Sequence, residues 1–559
     1  MFIRVKSSAN SARKSVQIVE SVRKGKQVTQ RVIRHVGVAW EEDELLRLRE
    51  LAELILAKLH DRHSPSLFED GSATERVLTH SYNIDNKNES IPVDLKKLKE
   101  EARIITGIHD VYGMLYRQLG FDFALGASGR MGIANEKLMQ LVLARIANPG
   151  SKRESVRMLG RDFGISLSLK SVYKMMDKIT PIRENAIRTL AWRAAESALG
   201  RKVNVVFYDC TTLYFESVIE DELKELGYSK DNKFNQSQIM LALLVTAEGL
   251  PLGYEVFPGA TFEGNTLEVA LKEIEIRYEV SEIFFVADSA MLSHKNLGML
   301  ESAQRKYIVG ARLRSFNKSI SETVLDLQHY KPLPQINPNE TDPIKVASFD
   351  LGSNRKLIVT YSPTRAKKDK YDREKSVQRL LKKMEKSTNP LSLISNYGYK
   401  KYIQANKPGS FSLNEAKLKE EARWDGLHGI ITNSIETSPA DAIQHYHGLW
   451  QIEECFRLSK HDLRIRPIFH WTPRRIKAHI AICFMALTCM RHLYNRVAKG
   501  YARLSPEKIR MELMHIQTSI LRNIDDDTQY AVPSSLSQDV KAIYRIMDIK
   551  PRLSPYKLL

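Results

Sequence analysis

Cysteine is scarce in this chain, and no two cysteines are spaced for metal or redox chemistry. Four occur among 559 residues, with no CxxC pair and no zinc-finger spacing. This excludes a scaffold held by many disulfides and a cysteine-ligated zinc site, and it favours a reducing cytoplasm.

Long apolar runs are also missing. The most apolar one, residues 480–490, is too short to span a bilayer, and Lys477, His479 and Arg491 flank it. The first residues lack the apolar core of a signal peptide. We therefore expect a buried helix at 480–490 and no membrane partner.

Acidic residues are outnumbered by basic ones. The chain has 85 Lys and Arg against 66 Asp and Glu, a formal charge of +19. An excess of this size favours a polyanionic partner. Without a membrane segment, nucleic acid is the leading candidate, and a protein that is simply basic is the alternative.

The first 200 residues predict two regions. Residues 1–97 read as a basic β-hairpin, a charged helix at 41–62 and a linker rich in Ser, Asn and Asp. Residues 98–200 have helical periodicity, with short basic helices on either side of a breaker at 148–150. This pattern is typical of a helix-turn-helix-like DNA-binding region and equally of a plain helical bundle.

From residue 203 the periodicity becomes that of strands. Residues 201–314 read as strands, helix, strand, helix and strand, which predicts a mixed sheet flanked by helices. Residues 315–430 predict a β-rich insertion with one strongly basic segment. Residues 431–500 predict the return to the α/β domain, and 501–559 a helical tail.

Two aspartates follow apolar runs that read as core strands. Asp209 ends VNVVFYD, and Asp288 ends IFFVAD. A carboxylate at such a position needs a cation or a strong hydrogen-bond donor, and ligand sites of open α/β sheets gather at strand ends. For either aspartate alone, a solvated strand end or a helix N-cap is the commoner explanation.

A third acidic residue lies in the stretch YHGLWQIEECFRLSK, residues 446–460. Read as one helix, it places Tyr446, Glu453 and Lys460 seven residues apart on one face. Glu454 is turned by about 100° from Glu453 and serves another face or water. If the helix packs beside the two strand ends, three carboxylates cluster. Such a cluster suits two Mg²⁺ or Mn²⁺ ions about 3.5–4 Å apart, which would support phosphoryl transfer.

These residues resemble the ribonuclease-H-like catalytic domain of DDE transposases encoded by bacterial insertion sequences. The helix is similar to the signature Tyr, two residues, Arg, three residues, Glu, six residues, Lys, with Leu449 at the arginine position. The segments YDCTTLYFES and FVADSAMLS, and an insertion before the glutamate helix, are also similar to the family. The resemblance covers residues 203–490.

The resemblance implies a role for each residue of the motifs. Asp209, Asp288 and Glu453 would be the catalytic triad that binds two Mg²⁺ ions, and Tyr446 and Lys460 would hold the terminal DNA strand.

Other residues are candidates for contacts with DNA. Arg457 is the candidate for replacing part of the contact of the missing arginine. Trp424 is the candidate for stacking on a flipped base, although a core tryptophan is the commoner explanation. Five basic residues within fourteen positions predict a DNA groove, although a solvated face explains any one of them: Arg464, Arg466, Arg474, Arg475 and Lys477.

The implied fold is α/β, a ribonuclease-H-like mixed sheet interrupted by the insertion and preceded by the hairpin and the helical DNA-binding region. The implied reaction is cleavage at the ends of an insertion sequence, followed by strand transfer into target DNA. The partners would be double-stranded DNA at the terminal inverted repeats and at the target, and a homodimer would form in the synaptic complex. The location would be the cytoplasm, at a bacterial or archaeal nucleoid. A nuclease or resolvase of the same fold without strand transfer, and a non-catalytic DNA-binding protein, are the alternatives.

Overall fold

In a computed structural model, the chain is described at residues 2–8, 11–24, 27–39, 45, 73–80, 93–126, 129–217, 219–227, 235–277, 283–289, 293–333, 343–386, 402–405 and 411–558. The helix expected at 41–62 lies outside these residues apart from Leu45.

The amino-terminal segment forms an antiparallel sheet of three strands in sequential order: β1 (Phe2–Ser8), β2 (Ser11–Lys24) and β3 (Gln27–Ala39). The hairpin predicted from the sequence corresponds to β2 and β3. Helix α1 (Ala73–His80) lies within the stretch that the sequence predicts to be a linker, so that part of the prediction is wrong. The helix forms because Val77 is fully buried beside Ile104 and Ile520.

The next region opens with strand β4 (Leu98–Ile105), which the sequence analysis missed, and a π-helical turn at His109–Gly113. Five helices follow: α2 (Met114–Gln118), α3 (Gly129–Ala147), α4 (Lys152–Asp162), α5 (Leu169–Met176) and α6 (Pro181–Leu199). Helix α3 ends before the breaker at 148–150. Ser151 then caps α4, since its hydroxyl accepts a hydrogen bond from the Glu154 N–H at 3.2 Å.

The central sheet contains the elements predicted for residues 203–314, in the predicted order. They are β5 (Val205–Tyr214), β6 (Gln238–Thr246), β7 (Pro251–Pro258), α7 (Thr266–Arg277), β8 (Phe284–Ala287), α8 (His294–Ser302) and β9 (Lys306–Ala311). The strand order is β7-β6-β5-β8-β9, with β5, β6 and β7 antiparallel and β5, β8 and β9 parallel. This is the ribonuclease-H-like arrangement, and the predicted fold class is confirmed.

The insertion continues the same sheet. Its elements are α9 (Lys318–Leu325), β10 (Lys331–Pro332), β11 (Lys345–Asp350), β12 (Lys356–Tyr361), α10 (Pro363–Lys386), β13 (Ile403–Ala405), β14 (Phe411–Leu413) and α11 (Glu415–Ala422). Strand β15 (Leu427–Thr432) pairs with both β9 and β12, so β10, β11, β12 and β15 extend the sheet to nine strands. The predicted strands are present, but the basic segment forms the 24-residue helix α10, so the insertion is mixed.

The chain then returns to the face of the sheet. Helices α12 (Pro439–His447) and α13 (Trp450–Arg457), a π-helical turn (Leu458–Asp462) and helix α14 (Pro473–Gly500) follow. Helix α14 is long and apolar enough to pass as a membrane span, but 94% of its most apolar window is buried inside the fold. This is the environment of a core helix, as the sequence predicted for residues 480–490.

The last segment is not purely helical, so the prediction for 501–559 is wrong in part. It contains α15 (Pro506–Met514), β16 (Gln517–Asn523), β17 (Gln529–Pro533), α16 (Gln538–Ile546) and β18 (Tyr556–Leu558). The strands form a sheet in the order β18-β17-β16-β4. Strand β4 therefore finds its partner more than 400 residues later in the chain.

Candidate active site

The two aspartates lie beside each other at the centre of the sheet. Strands β5 and β8 are parallel neighbours in which Phe207 pairs with Val286. Two residues further along each strand stand Asp209 and Asp288. Neighbouring strands are about 4.8 Å apart, so this register brings the backbones of the two aspartates close together.

Both aspartates belong to the face of the sheet that the last helices cover. Side chains alternate along a strand, so Asp209 shares the face of Phe207, which packs in the same core cluster as Ile452 and Phe456. Tyr208 points to the other cluster. Asp209 therefore lies on the side from which α13 approaches.

The local setting of Asp209 differs from the prediction. Strand β5 does not end at Asp209 but continues to Tyr214, because residues 210–214 keep their pairing with β6. Its carboxylate accepts a hydrogen bond from the backbone N–H of Cys210 at 2.7 Å. Asp288, in contrast, follows directly after the last residue of β8, as predicted.

Glu453 lies in the first turn of α13 and is exposed. The buried side of that helix is formed by Ile452, Cys455 and Phe456. Glycine at position 448 permits the close approach of the helix to β5, since a Cβ there would collide with the ring of Phe207. The position of Glu453 thus depends on Gly448, which packs on Phe207, two residues before Asp209 in β5.

The stretch 446–460 is not one continuous α-helix, so that prediction is wrong. Helix α12 ends at His447, and the backbone tightens into i→i−3 hydrogen bonds from there into the first turn of α13: Leu449 N–H to Tyr446, Gln451 N–H to Gly448, and Ile452 N–H to Leu449. Lys460 lies in the π-helical turn after α13 and is half-buried. The signal for the break is Gly448, which sits inside an otherwise helical pattern.

Tyr446 lies between the acidic residues even though the helix is broken. A Cβ added at Gly310 would meet its hydroxyl oxygen at 2.5 Å and the backbone nitrogen of Ser289 at 3.0 Å, so the hydroxyl is close to the residue after Asp288. Burial raises the pKa of Tyr446 to about 12, and the charges of Asp288 and Glu453 add to the effect. The hydroxyl is therefore protonated at neutral pH and able to donate a hydrogen bond.

Glu454, unlike its neighbour Glu453, forms an ion pair with an arginine of the same helix. Its carboxylate accepts two hydrogen bonds from the Arg457 guanidinium, each of 2.7 Å, and Arg457 also reaches Asp462 at 3.3 Å. These hydrogen bonds hold the pKa of Glu454 below its usual value. Because Arg457 is engaged in this way, the structure gives no support to its replacing the arginine missing at Leu449.

The two adjacent arginines at the start of α14 differ in their surroundings. Arg475 donates to the carboxylate of Asp177 at 2.9 and 3.0 Å, and its guanidinium carbon lies 4.7 Å from the centre of the Tyr173 ring. Arg474 is exposed. Arg475 thus joins α14 to the end of α5, and Arg474 is the more accessible of the two.

Trp424 lies on the wall of a cavity of about 750 Å³ between helix α10 and strands β9 and β15. The cavity adjoins the acidic residues through His428, which lines it and whose ring centre is 5.1 Å from that of Tyr446. Burial lowers the pKa of His428 to about 4, so its ring is neutral at neutral pH. The half-buried Trp424 packs against the core on one side and faces this cavity on the other.

Arg491 appears in the sequence only as a flank of the apolar run, and its role in the site was not predicted. It is 2% exposed, and it joins two parts of the site. Its Nε donates to the Gly249 carbonyl at 2.7 Å, and its Nη2 donates to Gln451 Oε1 at 2.6 Å. Arg491 therefore ties α13, two residues before Glu453, to the turn between β6 and β7. No sequence signal distinguishes it from the exposed arginines nearby.

The donor atoms of the site fit a hard divalent cation, because all three candidate ligands are carboxylates. Their arrangement does not yet close around one: within the described part of the chain, no three His, Cys, Asp or Glu side chains form a group that could hold a metal ion. Asp209 and Asp288 form one side of the site. Glu453 is exposed in the first turn of α13.

The chain matches two families of known proteins. Residues 201–489 match the sequence model of the transposase DDE domain, and residues 3–70 match the amino-terminal domain of IS1634 family transposases. No curated protein matches the chain.

Two solved structures are among those similar to the chain. A piggyBac transposase synaptic complex with hairpin DNA is 13% identical over 73% of this chain and 76% of that one, with a TM-score of 0.34. A Mos1 transposase paired-end complex with left transposon end is 12% identical over 40% and 62%, with a TM-score of 0.14. At these scores the backbones do not superpose as wholes, and the fold assignment stands on the strand order.

Proposed function

We propose, on the premise that the chain belongs to the DDE transposases of bacterial insertion sequences, that Asp209, Asp288 and Glu453 are its catalytic residues. Enzymes of this family cleave DNA, transfer strands and generally use divalent metal ions. The observation that carries the assignment is the register of β5 and β8, which sets Asp209 beside Asp288, under a helix that presents Glu453.

The three carboxylates would hold two Mg²⁺ or Mn²⁺ ions. Bound there, such ions activate the attacking hydroxyl and neutralise the charge that develops on the leaving oxygen. Asp209 and Asp288 are placed by the sheet, whereas Glu453 completes the set when its exposed side chain turns inward. The Arg491–Gln451 hydrogen bond anchors the helix that carries Glu453.

Tyr446 and Lys460 would position the terminal DNA strand. The Tyr446 hydroxyl, whose pKa is raised to about 12, stays protonated and can donate a hydrogen bond to a phosphate oxygen beside the carboxylates. The Lys460 ammonium, in the π-helical turn after α13, would add a positive charge for a phosphate. Together they would hold a phosphodiester in line for attack.

Trp424 would accept a base that has left the helical stack. The support for this is the adjoining cavity of about 750 Å³, which has Trp424 on its wall and the neutral His428 at its inner end. Arg474, exposed at the start of α14, would contact the backbone of the bound DNA. Arg457 and Arg475 are held by acidic partners of the chain itself, so we assign them a structural role first.

The remaining assignments concern DNA and assembly. Residues 98–200 would contribute to DNA binding beside the β1–β3 sheet, and two protomers would hold two element ends in one complex. The work would take place in the cytoplasm, at the nucleoid. Light scattering on a complex with end DNA would measure the stoichiometry, and a complex with a single protomer would contradict the dimer.

The test of the catalytic assignment uses the terminal inverted repeats that bracket the gene as substrate. Asp209→Asn, Asp288→Asn and Glu453→Gln should each lower Mg²⁺-dependent cleavage by about 100-fold or more, a loss typical of removing one preorganised catalytic group. DNA affinity measured in parallel should persist, which separates lost chemistry from lost folding. Glu454→Gln is the matched control, because Glu454 binds Arg457, and it should keep cleavage.

The possible results separate the alternatives. Cleavage followed by joining of the 3′ end to a second duplex supports transposition. Cleavage without joining would indicate a nuclease or resolvase, and binding without cleavage would indicate a DNA-binding protein. Unchanged cleavage in Asp288→Asn would refute the catalytic assignment.

A further inference from the structure

A second cavity, of about 280 Å³, lies away from the three carboxylates. It is formed where the start of α4 meets the loop after the π-helical turn and the first turns of α14. Among the described residues that line it, none is acidic, whereas five are basic and two are histidines: Arg145, Lys152, Arg153, Arg464, Arg466, His470 and His479. A cavity with this lining attracts an anion.

Lys152 is the most unusual residue of this cavity. It is 4% exposed, and lysine is almost never buried so deeply without an acidic partner. Its Nζ lies 3.2 Å from His479 Nδ1. His479 Nε2 donates to the Ile465 carbonyl at 3.0 Å, and burial holds the pKa of His479 well below its usual value, so the ring is neutral and Nδ1 accepts from the lysine. Among the described residues, this is the one acceptor recorded for an ammonium group with three N–H donors.

Arg145 adds a second buried cation. It is 3% exposed, and its Nη1 donates to the carbonyls of Leu463 and Arg464 at 3.3 and 3.4 Å. Its Nε finds no hydrogen-bond acceptor in the described part of the chain, although it is shielded from solvent. A buried guanidinium N–H without an acceptor is costly, and an anion in the cavity would supply one.

The surrounding charges reinforce this reading. Burial and, to a lesser extent, the charge of Arg145 lower the pKa of Lys152 to about 7, and the opposing effect comes from the Cys483 thiol rather than from a carboxylate. Helix α4 also directs its amino terminus at the cavity, which favours negative charge there. The basic side chains and the amino terminus of α4 thus both favour an anion in the cavity.

We infer that this cavity is a phosphate-binding site in which Lys152 and Arg145 hold the phosphate oxygens and the exposed Arg464 closes the rim. A phosphate group has the charge and the acceptor oxygens that these donors lack, and it fits within 280 Å³. The phosphate could belong to a DNA strand or be inorganic. The first source rests on the proposed function, whereas the second does not.

The position of the cavity favours a DNA phosphate. Arg466, on its lining, lies over the ring of Tyr214 at 5.3 Å, and Tyr214 is the last residue of β5. Tyr214 is five positions after Asp209, about 17 Å along a strand at about 3.3 Å per residue. The cavity therefore adjoins the strand that carries Asp209. The exposed Phe469 on the lining offers an apolar face to a neighbouring sugar or base.

The experiment compares the full-length protein with its Lys152→Met variant. Inorganic phosphate should raise the melting temperature of the wild type by several degrees relative to sodium chloride of equal ionic strength, because it binds only the folded state. Lys152→Met should melt higher than the wild type without phosphate, since it removes a buried charge, and should lose the phosphate-dependent rise. Lys170→Met, on the exposed side of α5, is the control and should behave as the wild type.

A second arm identifies the source of the phosphate. If a DNA strand provides it, Lys152→Met should reduce the slope of log affinity against log salt by about 0.9, the value for one phosphate contact on duplex DNA. If inorganic phosphate is the ligand, the slope should be that of Lys170→Met, while the loss of the phosphate-dependent rise persists. Arg464→Gln, at the rim, provides a second variant with a smaller expected effect in the same arm.

One result overturns the inference. If Lys152→Met and Lys170→Met give the same phosphate response and the same salt slope, the cavity is not a phosphate site. Asp288→Asn should keep the phosphate response in full, because it lies outside the cavity. A failure of the catalytic assignment and a failure of this inference are therefore distinguishable.

Discussion

Gly310→Ala is the sharpest test of how the site is packed. Gly310 lies in β9, and an added methyl group would stand 2.5 Å from the Tyr446 hydroxyl oxygen, about 0.9 Å short of ordinary van der Waals contact at about 3.4 Å. Overpacking of this kind costs about 1–3 kcal/mol of stability. A displacement of about 1 Å near reacting groups costs about 100-fold in rate. We therefore expect Gly310→Ala to lose about two orders of magnitude in cleavage while it still folds.

The matched control is Gly298→Ala, because a Cβ at this position of α8 meets no atom within 4 Å. It should keep the wild-type cleavage rate and gain a little stability, as alanine does in place of glycine in a helix. Cleavage of end DNA and urea unfolding are measured on both variants. Cleavage by Gly310→Ala at the wild-type rate would refute the position assigned to Tyr446.

A double-mutant cycle identifies the atom responsible. Tyr446→Phe removes the hydroxyl oxygen, which is the nearest atom, and leaves two tighter-than-usual contacts of the added methyl group: the ring carbon Cζ at 3.3 Å and the Ser289 backbone nitrogen at 3.0 Å. Gly310→Ala with Tyr446→Phe should therefore recover part of the stability that Gly310→Ala loses. Cleavage should stay low in the double variant, since the hydroxyl is assigned to the DNA. If the double variant is no more stable than Gly310→Ala, the clash does not involve the Tyr446 hydroxyl.

Two further predictions concern charge. Burial lowers the pKa of the 1%-exposed His492 to about 3, with Arg496 and Arg491 adding to the effect, so between about pH 6.5 and 3 the unfolded chain binds a proton that the folded chain does not. Stability should therefore fall as the pH drops through 6.5, by up to about 1.4 kcal/mol per unit, and His492→Leu should make urea unfolding less sensitive to a change from pH 7 to pH 5. Arg474→Gln should weaken DNA binding more than Arg475→Gln, because Asp177 already holds Arg475; equal losses in a fluorescence-anisotropy titration would show that this pair opens on DNA.

The order of elements in the catalytic sheet was predictable from local sequence. Runs such as VNVVFYD and IFFVAD are apolar enough to identify core strands, and a terminal aspartate stands out because burying it alone is costly. The end of β5 was misplaced because residues 210–214 include polar side chains, Thr211 and Thr212, which are nevertheless buried in the sheet. Polar side chains therefore do not mark the end of a buried strand.

Other features depend on contacts that no local pattern contains. Strand β4 has the charged sequence LKEEARII and becomes a strand because β16 pairs with it. The burial of Lys152 and Arg491 depends on how α4 and α14 pack, whereas the sequence shows them only as two basic residues among 85. The sequence shows a glycine at position 448. Only the structure shows why a side chain is excluded there: a Cβ would collide with the ring of Phe207.

The pairing of β4 with β16 has a consequence for the newborn chain. Residues 98–105 leave the ribosome long before residues 517–523 exist, and at about 5–20 residues per second the wait is about 20–80 s. Throughout that interval the edge of β4 that pairs with β16 has no partner strand. Helix α1 also lacks part of its packing surface, because Val77 is buried partly against Ile520. Synthesis of residues 517–523 is therefore what completes the packing of β4 and α1, and a ribosome that stalls before this point leaves a nascent chain whose β4 edge can pair with neighbouring chains on the same message.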